Sequence, residues 1–124
     1  MRRARRGVSA LEFALAFPIL ILTVLGTVNF GRAFWTRSTL QTATEDAGRY
    51  AMTHTGLSNG QIASYLRTRT GTVDPDGVTV VVGTDVDSGV TFVTITATTP
   101  LAFSAFLGLA PVTLQARTRV PRAT

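Results

Sequence analysis

Cysteine does not occur in these 124 residues, so neither a disulfide framework nor a thiolate metal site is available. Lysine is missing too, and all twelve basic residues are arginines. The single histidine, His54, stands near the end of a helical stretch with no acid cluster beside it. It reads as a helix-end or surface histidine, not as a ligand or catalytic base. Hydrolysis needs a nucleophile, a base and a scaffold that brings them together. Scattered serines and threonines do not meet that need, and neither paired catalytic carboxylates nor a phosphate-cradling glycine loop is present. The chain reads as no enzyme, with no cofactor and no metal. Asp74, Asp76, Asp85 and Asp87 fail to complete the spacing of a calcium loop, and solvated turns account for them better.

Positive charge is abundant overall, at +5, but it is not spread over the chain. Residues 1–7 hold Arg2, Arg3, Arg5 and Arg6 without an acid, whereas residues 8–124 come to only +1. The excess is an N-terminal feature and not a basic face, which argues against a nucleic-acid partner.

Behind the arginines comes FALAFPILILTVLGTV, residues 13–28, in which two threonines are the only polar side chains. Carried through Asn29 and Phe30 it makes about 27 Å of helix at ~1.5 Å per residue, close to the roughly 30 Å hydrocarbon thickness of a bilayer. Backbone groups in lipid must be paired within the segment, so the span is a helix. Arg32, Trp35 and Arg37 suit an interfacial anchor at its far end. The arginine asymmetry places the N-terminus in the cytoplasm and the rest outside. Two other readings compete: a cleaved secretory signal, although TVLGTVNFGRA offers a poor cleavage site, and a buried helix of a soluble fold. Pro18 withholds an N–H from the carbonyl of Ala14 and predicts a bend in the span.

Glu12 lies at the rim of this apolar run. It either snorkels to the headgroups or pairs with a specific cation, and an intramembrane acid is by default a functional-site hypothesis. A cut after Gly7 would create an α-amine on Val8, one helical turn from Glu12. An ammonium at a helix N-terminus is disfavoured without a negative partner. Glu12 supplies one, within its own chain or to a neighbour.

These residues carry a resemblance. RRG followed by VSALEF resembles the type IV prepilin processing motif. The longer block, with Arg6-Gly7, Glu12-Phe13-Ala14, Pro18, Phe30-Gly31-Arg32, Leu40-Gln41, Ala47 and Arg49-Tyr50-Ala51, resembles the TadE-like family of tight-adherence (Flp-type) pilus-assembly proteins. The resemblance implies a minor pilin or pseudopilin cut by a prepilin peptidase between Gly7 and Val8, with Glu12 used in maturation or docking. It implies as partners other pilin-like subunits, the inner-membrane assembly platform and the lipid bilayer. The implied location is the bacterial inner membrane, single-pass, with an extracytoplasmic C-terminal domain. A membrane-tethered or secreted adhesive or ligand-binding domain that never joins a filament is the alternative.

The remaining sequence predicts an α+β fold, a long N-terminal helix packed on a small antiparallel sheet with a second short helix. The divisions expected are a basic leader at 1–7, a transmembrane helix at 8–30, its extracytoplasmic continuation at 31–54, and a small domain at 55–124. Leu40, Ala43, Ala47, Tyr50 or Ala51, and His54 form one stripe. Glu45 and Arg49 stand at pairing distance, and Gly48 weakens the helix. A short helix is expected at 59–69 with Ile62, Tyr65 and Leu66 inward, capped by Ser58 or Asn59. The turn Asp74-Pro75-Asp76-Gly77 ends helical territory. Three strands follow, with inward faces Val78/Val80/Val82, Val93/Ile95/Ala97 and Val112/Leu114/Ala116/Thr118/Val120, and with Phe92 on the opposite side. Their order is open. The apolar stretch PLAFSAFLGLAP at 100–111 reads as a constrained excursion between strands, for core packing, membrane contact or partner docking.

Overall fold

The structure, a computed structural model, describes residues 2–71, 73–101, 108 and 110–123. The chain divides into two compact units, Met1–Arg32 and Ala33–Thr124. It contains helix α1 (Arg2–Thr53), helix α2 (Asn59–Thr68), a 3₁₀ turn (Pro75–Gly77) and strands β1 (Thr79–Asp87), β2 (Val90–Leu101) and β3 (Val112–Pro121). The α+β class expected from the sequence is what is found.

The first unit consists of the N-terminal part of α1. Its large apolar side chains point outward, from Phe13 and Leu15 to Val28 and Phe30. No residue of its most apolar 18-residue window, of mean hydropathy 2.3, is buried. By length and composition the helix is able to cross a membrane. Its two threonines suit that role. Thr23 donates to the Ile19 carbonyl at 2.8 Å and Thr27 to the Thr23 carbonyl at 2.9 Å, so neither hydroxyl presents an unpaired donor to lipid.

In the second unit the sheet is antiparallel with order β1-β2-β3. β2 is central because its inward positions are apolar along most of their length. Val93, Ile95 and Ala97 are fully buried, followed by Thr99. The hairpin between β1 and β2 closes on Asp87↔Val90 through Ser88 and Gly89, with φ of 52° and 82°. Two successive left-handed residues match the right-handed twist of the flanking strands. On the other side β2 pairs with β3 from Phe92↔Pro121 to Leu101↔Val112.

The inward face of the sheet meets Leu40, Ala43, Ala47 and Ala51 of α1 and Ile62 and Leu66 of α2 in one core. The stripe foreseen on α1 is therefore present but ends at Ala51. Tyr50 is half-buried and His54 exposed, because the helix stops at Thr53. Tyr50 instead stacks on Tyr65 of α2, centroids 4.1 Å apart and planes 4° from parallel, and the His54 ring lies 4.3 Å from that of Tyr50. Thr44 is buried on the same face as the stripe and satisfies its hydroxyl on the Leu40 carbonyl at 2.6 Å.

Ser58 is the cap of α2. Its side chain accepts from the Gln61 N–H at 3.2 Å, and the Gln61 side chain accepts from the Ser58 N–H at 2.8 Å, a reciprocal capping box. Ser58→Ala should lower the thermal midpoint of the detergent-solubilised chain by the equivalent of about 1 kcal/mol. Circular dichroism checks it, and Ser58→Asp should retain most of the stability.

Several expectations need correction. Asp85 and Asp87 do not lie in solvated turns. They belong to β1, which runs longer than expected, and they face Arg119 of β3 at 3.2 and 3.9 Å. The Arg119 guanidinium also lies 4.2 Å over the Phe92 ring, on the sheet face opposite the core. Glu45 does not pair with Arg49 among the ion pairs of the described residues; it accepts from Gln41 at 2.9 Å. Pro100 and Leu101 continue β2 opposite Thr113 and Val112. Proline is tolerated there because β1 ends at Thr79↔Thr98, leaving Pro100 beside only one strand. Residues 102–107 and 109 of the apolar stretch lie outside the described residues.

Gly48, read from sequence as a weak point, has a structural reason. A Cβ there would lie 3.2 Å from Val120 Cγ1 and 3.3 Å from Thr118 Cγ2, so the missing side chain lets α1 approach β3 closely. Arg122 was not foreseen either. Its side chain donates to the Leu57 carbonyl and its backbone N–H to Thr91 at 2.8 Å, which fastens the end of the chain to the α1–α2 connection.

Candidate processing and docking site

Gly7, Val8, Glu12 and Pro18 all lie on α1. The helix holds Val8 and Glu12 four residues apart, one turn on the same face. The surroundings of Gly7 are open: a Cβ built there meets nothing within 4 Å. Val8 is 56% exposed and Glu12 is exposed as well. The helix continues through Pro18. Three of the four residues thus fall within little more than one turn, on a surface that no other described element covers.

This arrangement has no catalytic geometry of its own. What it offers is an accessible backbone at Gly7 and Val8, and a carboxylate one turn further along. Exposed apolar side chains flank them along the helix as two ladders, Leu11 with Leu15 on one side and Phe13 with Phe17 on another, the Phe13 and Phe17 rings 5.6 Å apart. Chemically it is an exposed helical face, mainly apolar, that carries one carboxylate. For metals, no group of three histidine, cysteine or acidic side chains able to hold an ion occurs among the described residues. Asp74 instead accepts from the Asp76 N–H at 3.1 Å to close its own turn, and Asp85 and Asp87 face Arg119.

Comparison with protein families decides the reading of this segment. Residues 7–49 match the family of TadE-like proteins. Over this segment the chain is similar to TadE-like proteins. The match takes in Gly7, Val8, Glu12 and Pro18 together with the α1 stripe as far as Ala47 and Gly48. Residues 50–124, with the short helix and the sheet, lie outside it. No curated protein and no solved structure matches the chain. The TadE-like segment thus supplies the apolar helix and the buried helical face on which the remainder of the second unit is built.

Proposed function

We propose that this protein is a minor pilin- or pseudopilin-like subunit for assembly of a tight-adherence (Flp-type) pilus. The TadE-like match over residues 7–49 carries the proposal; the family ties the chain to pilus assembly, and the finer role rests on the chemistry of the segment. A prepilin peptidase cuts between Gly7 and Val8. The chain sits once in the inner membrane, with its arginine-rich end in the cytoplasm and its α+β domain outside. The span of about 27 Å and the arginine asymmetry support that topology.

The mechanism follows from the helix. Trimming removes the four arginines, which are costly to draw into lipid, and leaves an ammonium on Val8. Glu12 neutralises that ammonium, in the same subunit or in a neighbour, while the exposed apolar ladder packs laterally on other pilin-like helices or on the membrane platform. Pro18 withdraws one intrahelical hydrogen bond and lets the helix bend during transfer from membrane to assembly. Movement itself is powered by other proteins.

Coexpression with an active prepilin peptidase, followed by intact-mass measurement and N-terminal sequencing, tests the proposal. The expected product begins at Val8 and lacks residues 1–7. Retention of the leader beside a processed control pilin, or cleavage near residues 28–33, would overturn the processing site and favour an ordinary exported domain.

A further inference from the structure

β1 and β3 are the outer strands of the sheet, and each has one side with no strand beside it. Which backbone groups lie on those sides follows from the register. The Arg122 N–H donates to the Thr91 carbonyl at 2.8 Å, so the odd-numbered residues of β2 bond towards β3 and the even-numbered ones towards β1. Phe92 and Thr94 therefore bond to Asp85 and Gly83, which turns the backbone groups of Val82, Thr84 and Val86 away from β2. Asn59 agrees with this, donating to the outer Val82 carbonyl at 3.3 Å. Among the described residues no other hydrogen bond reaches this edge. None reaches the outer backbone groups of Gln115, Arg117 and Arg119 on β3 either.

An open edge accepts a further strand, and the charges beside these two edges select it. The sheet face opposite the core carries Arg117 and Arg119 on β3, and Asp85 and Asp87 on β1. Arg119 meets both acids within its own chain. Arg117 is exposed and has no acid partner among the described residues. Pairing β3 with a second β3 leaves every charge on the seam positive, and β1 with a second β1 leaves every charge negative. Pairing β3 with β1 sets opposite charges side by side.

Both outer strands run antiparallel to β2 and so run in the same direction. A copy displaced sideways without being turned over offers its β1 parallel to β3. One alignment places Arg117 beside the next copy's Asp85, Arg119 beside Asp87 and Gln115 beside Gly83. It also keeps the two core faces level. Leu114 then stands beside Val82, and Val86, 65% exposed in the single chain, stands beside Thr118. The hydrogen bonds fit as well, because Thr84 falls opposite Ala116, between the outward groups of Gln115 and Arg117.

We propose that the sheet is an interface between copies of this chain, β3 of one pairing in parallel with β1 of the next across an Arg117–Asp85 contact. The two copies use different surfaces, so the contact propagates from copy to copy unless its rotation closes a ring. It rests on the sheet alone, and not on cleavage at Gly7 or on the membrane reading of α1.

The chain has no cysteine, so introduced thiols report on the seam alone. A Cβ at Gly83 meets open space, and Gln115 is exposed. Within one chain they stand at least two strand spacings apart, roughly 9.5 Å, whereas a disulfide needs Cα atoms within about 7 Å. Cells producing the full chain with Gly83→Cys and Gln115→Cys together are oxidised with diamide. A ladder of dimers and higher multimers is expected on a non-reducing immunoblot. Two differently tagged chains carrying one substitution each should give mixed dimers only, and either chain alone should give none. Val81→Cys with Thr113→Cys, a second pair on the same alignment, should repeat the pattern. Arg117→Glu should lower the crosslinked fraction about tenfold. Arg117→Lys should keep most of it, with circular dichroism showing both variants folded. Dimers from a single substitution overturn the assignment of β3 to β1. Absence of crosslinks in both pairs, or their indifference to Arg117→Glu, overturns the interface.

Discussion

Glu12→Gln should abolish, or reduce at least a hundredfold, the yield of assembled pili while leaving the chain in the membrane. Glutamine keeps the shape of the side chain and its hydrogen-bonding capacity but removes the charge. In the processing proposed above, the new ammonium of Val8 would stand at a helix N-terminus, where the partial positive charge of the backbone already disfavours it. One turn away, at the rim of the apolar run, the Glu12 carboxylate would be its natural partner. Taking one member from a desolvated pair costs about 3–5 kcal/mol. At 1.36 kcal/mol per decade, the lower figure alone exceeds a factor of one hundred in each docking equilibrium. Insertion, by contrast, depends on the apolar run from Phe13 onward, and the substitution does not touch it. Immunoblotting of sheared pili, set beside alkaline-extracted membranes, measures the two effects separately. Undiminished pili would remove Glu12 from docking, and the mass of the processed chain would then say whether it acts in maturation.

Legibility in the sequence followed the range of the interactions involved. β3 was readable because Leu114, Ala116, Thr118 and Val120 alternate with Gln115, Arg117 and Arg119, and a solvated face leaves that imprint locally. The cap of α2 was readable as a choice between Ser58 and Asn59, since capping is local, but the share of Gln61 in it was not foreseen. That Gly7, Val8, Glu12 and Pro18 share one helix was readable because the helical pattern there is local; their roles come from the resemblance and stand as proposals. What stayed hidden depends on contacts between distant segments. Asp85 and Asp87 resemble turn residues until the register Asp85↔Phe92 brings them near Arg119 across the central strand. Pro100 resembles a strand breaker until β1 is seen to end before it.

Gly48 shows the same difference within one residue, and the second large effect is expected there. On helix propensity alone, Gly48→Ala gains about 1 kcal/mol. The structure opposes that gain, since the added carbon meets Val120 and Thr118 methyls at 3.2 and 3.3 Å. Both are side-chain atoms of residues that are only half-buried, so they have room to give by a few tenths of an ångström. Gly48→Ala should therefore lie within about 1 kcal/mol of the unchanged chain. Gly48→Leu has no such escape. Its branched end would have to occupy the space where β3 lies, pushing the buried face of Ala43, Ala47 and Ala51 off the sheet, at a cost of about 3 kcal/mol or more. Thermal unfolding of the detergent-solubilised chains, followed through the sheet signal in circular dichroism, distinguishes the two. A Gly48→Leu midpoint no lower than that of Gly48→Ala would mean that α1 and β3 do not pack this closely. A large loss confined to leucine would identify the glycine as the residue that lets α1 serve as the floor of the sheet domain.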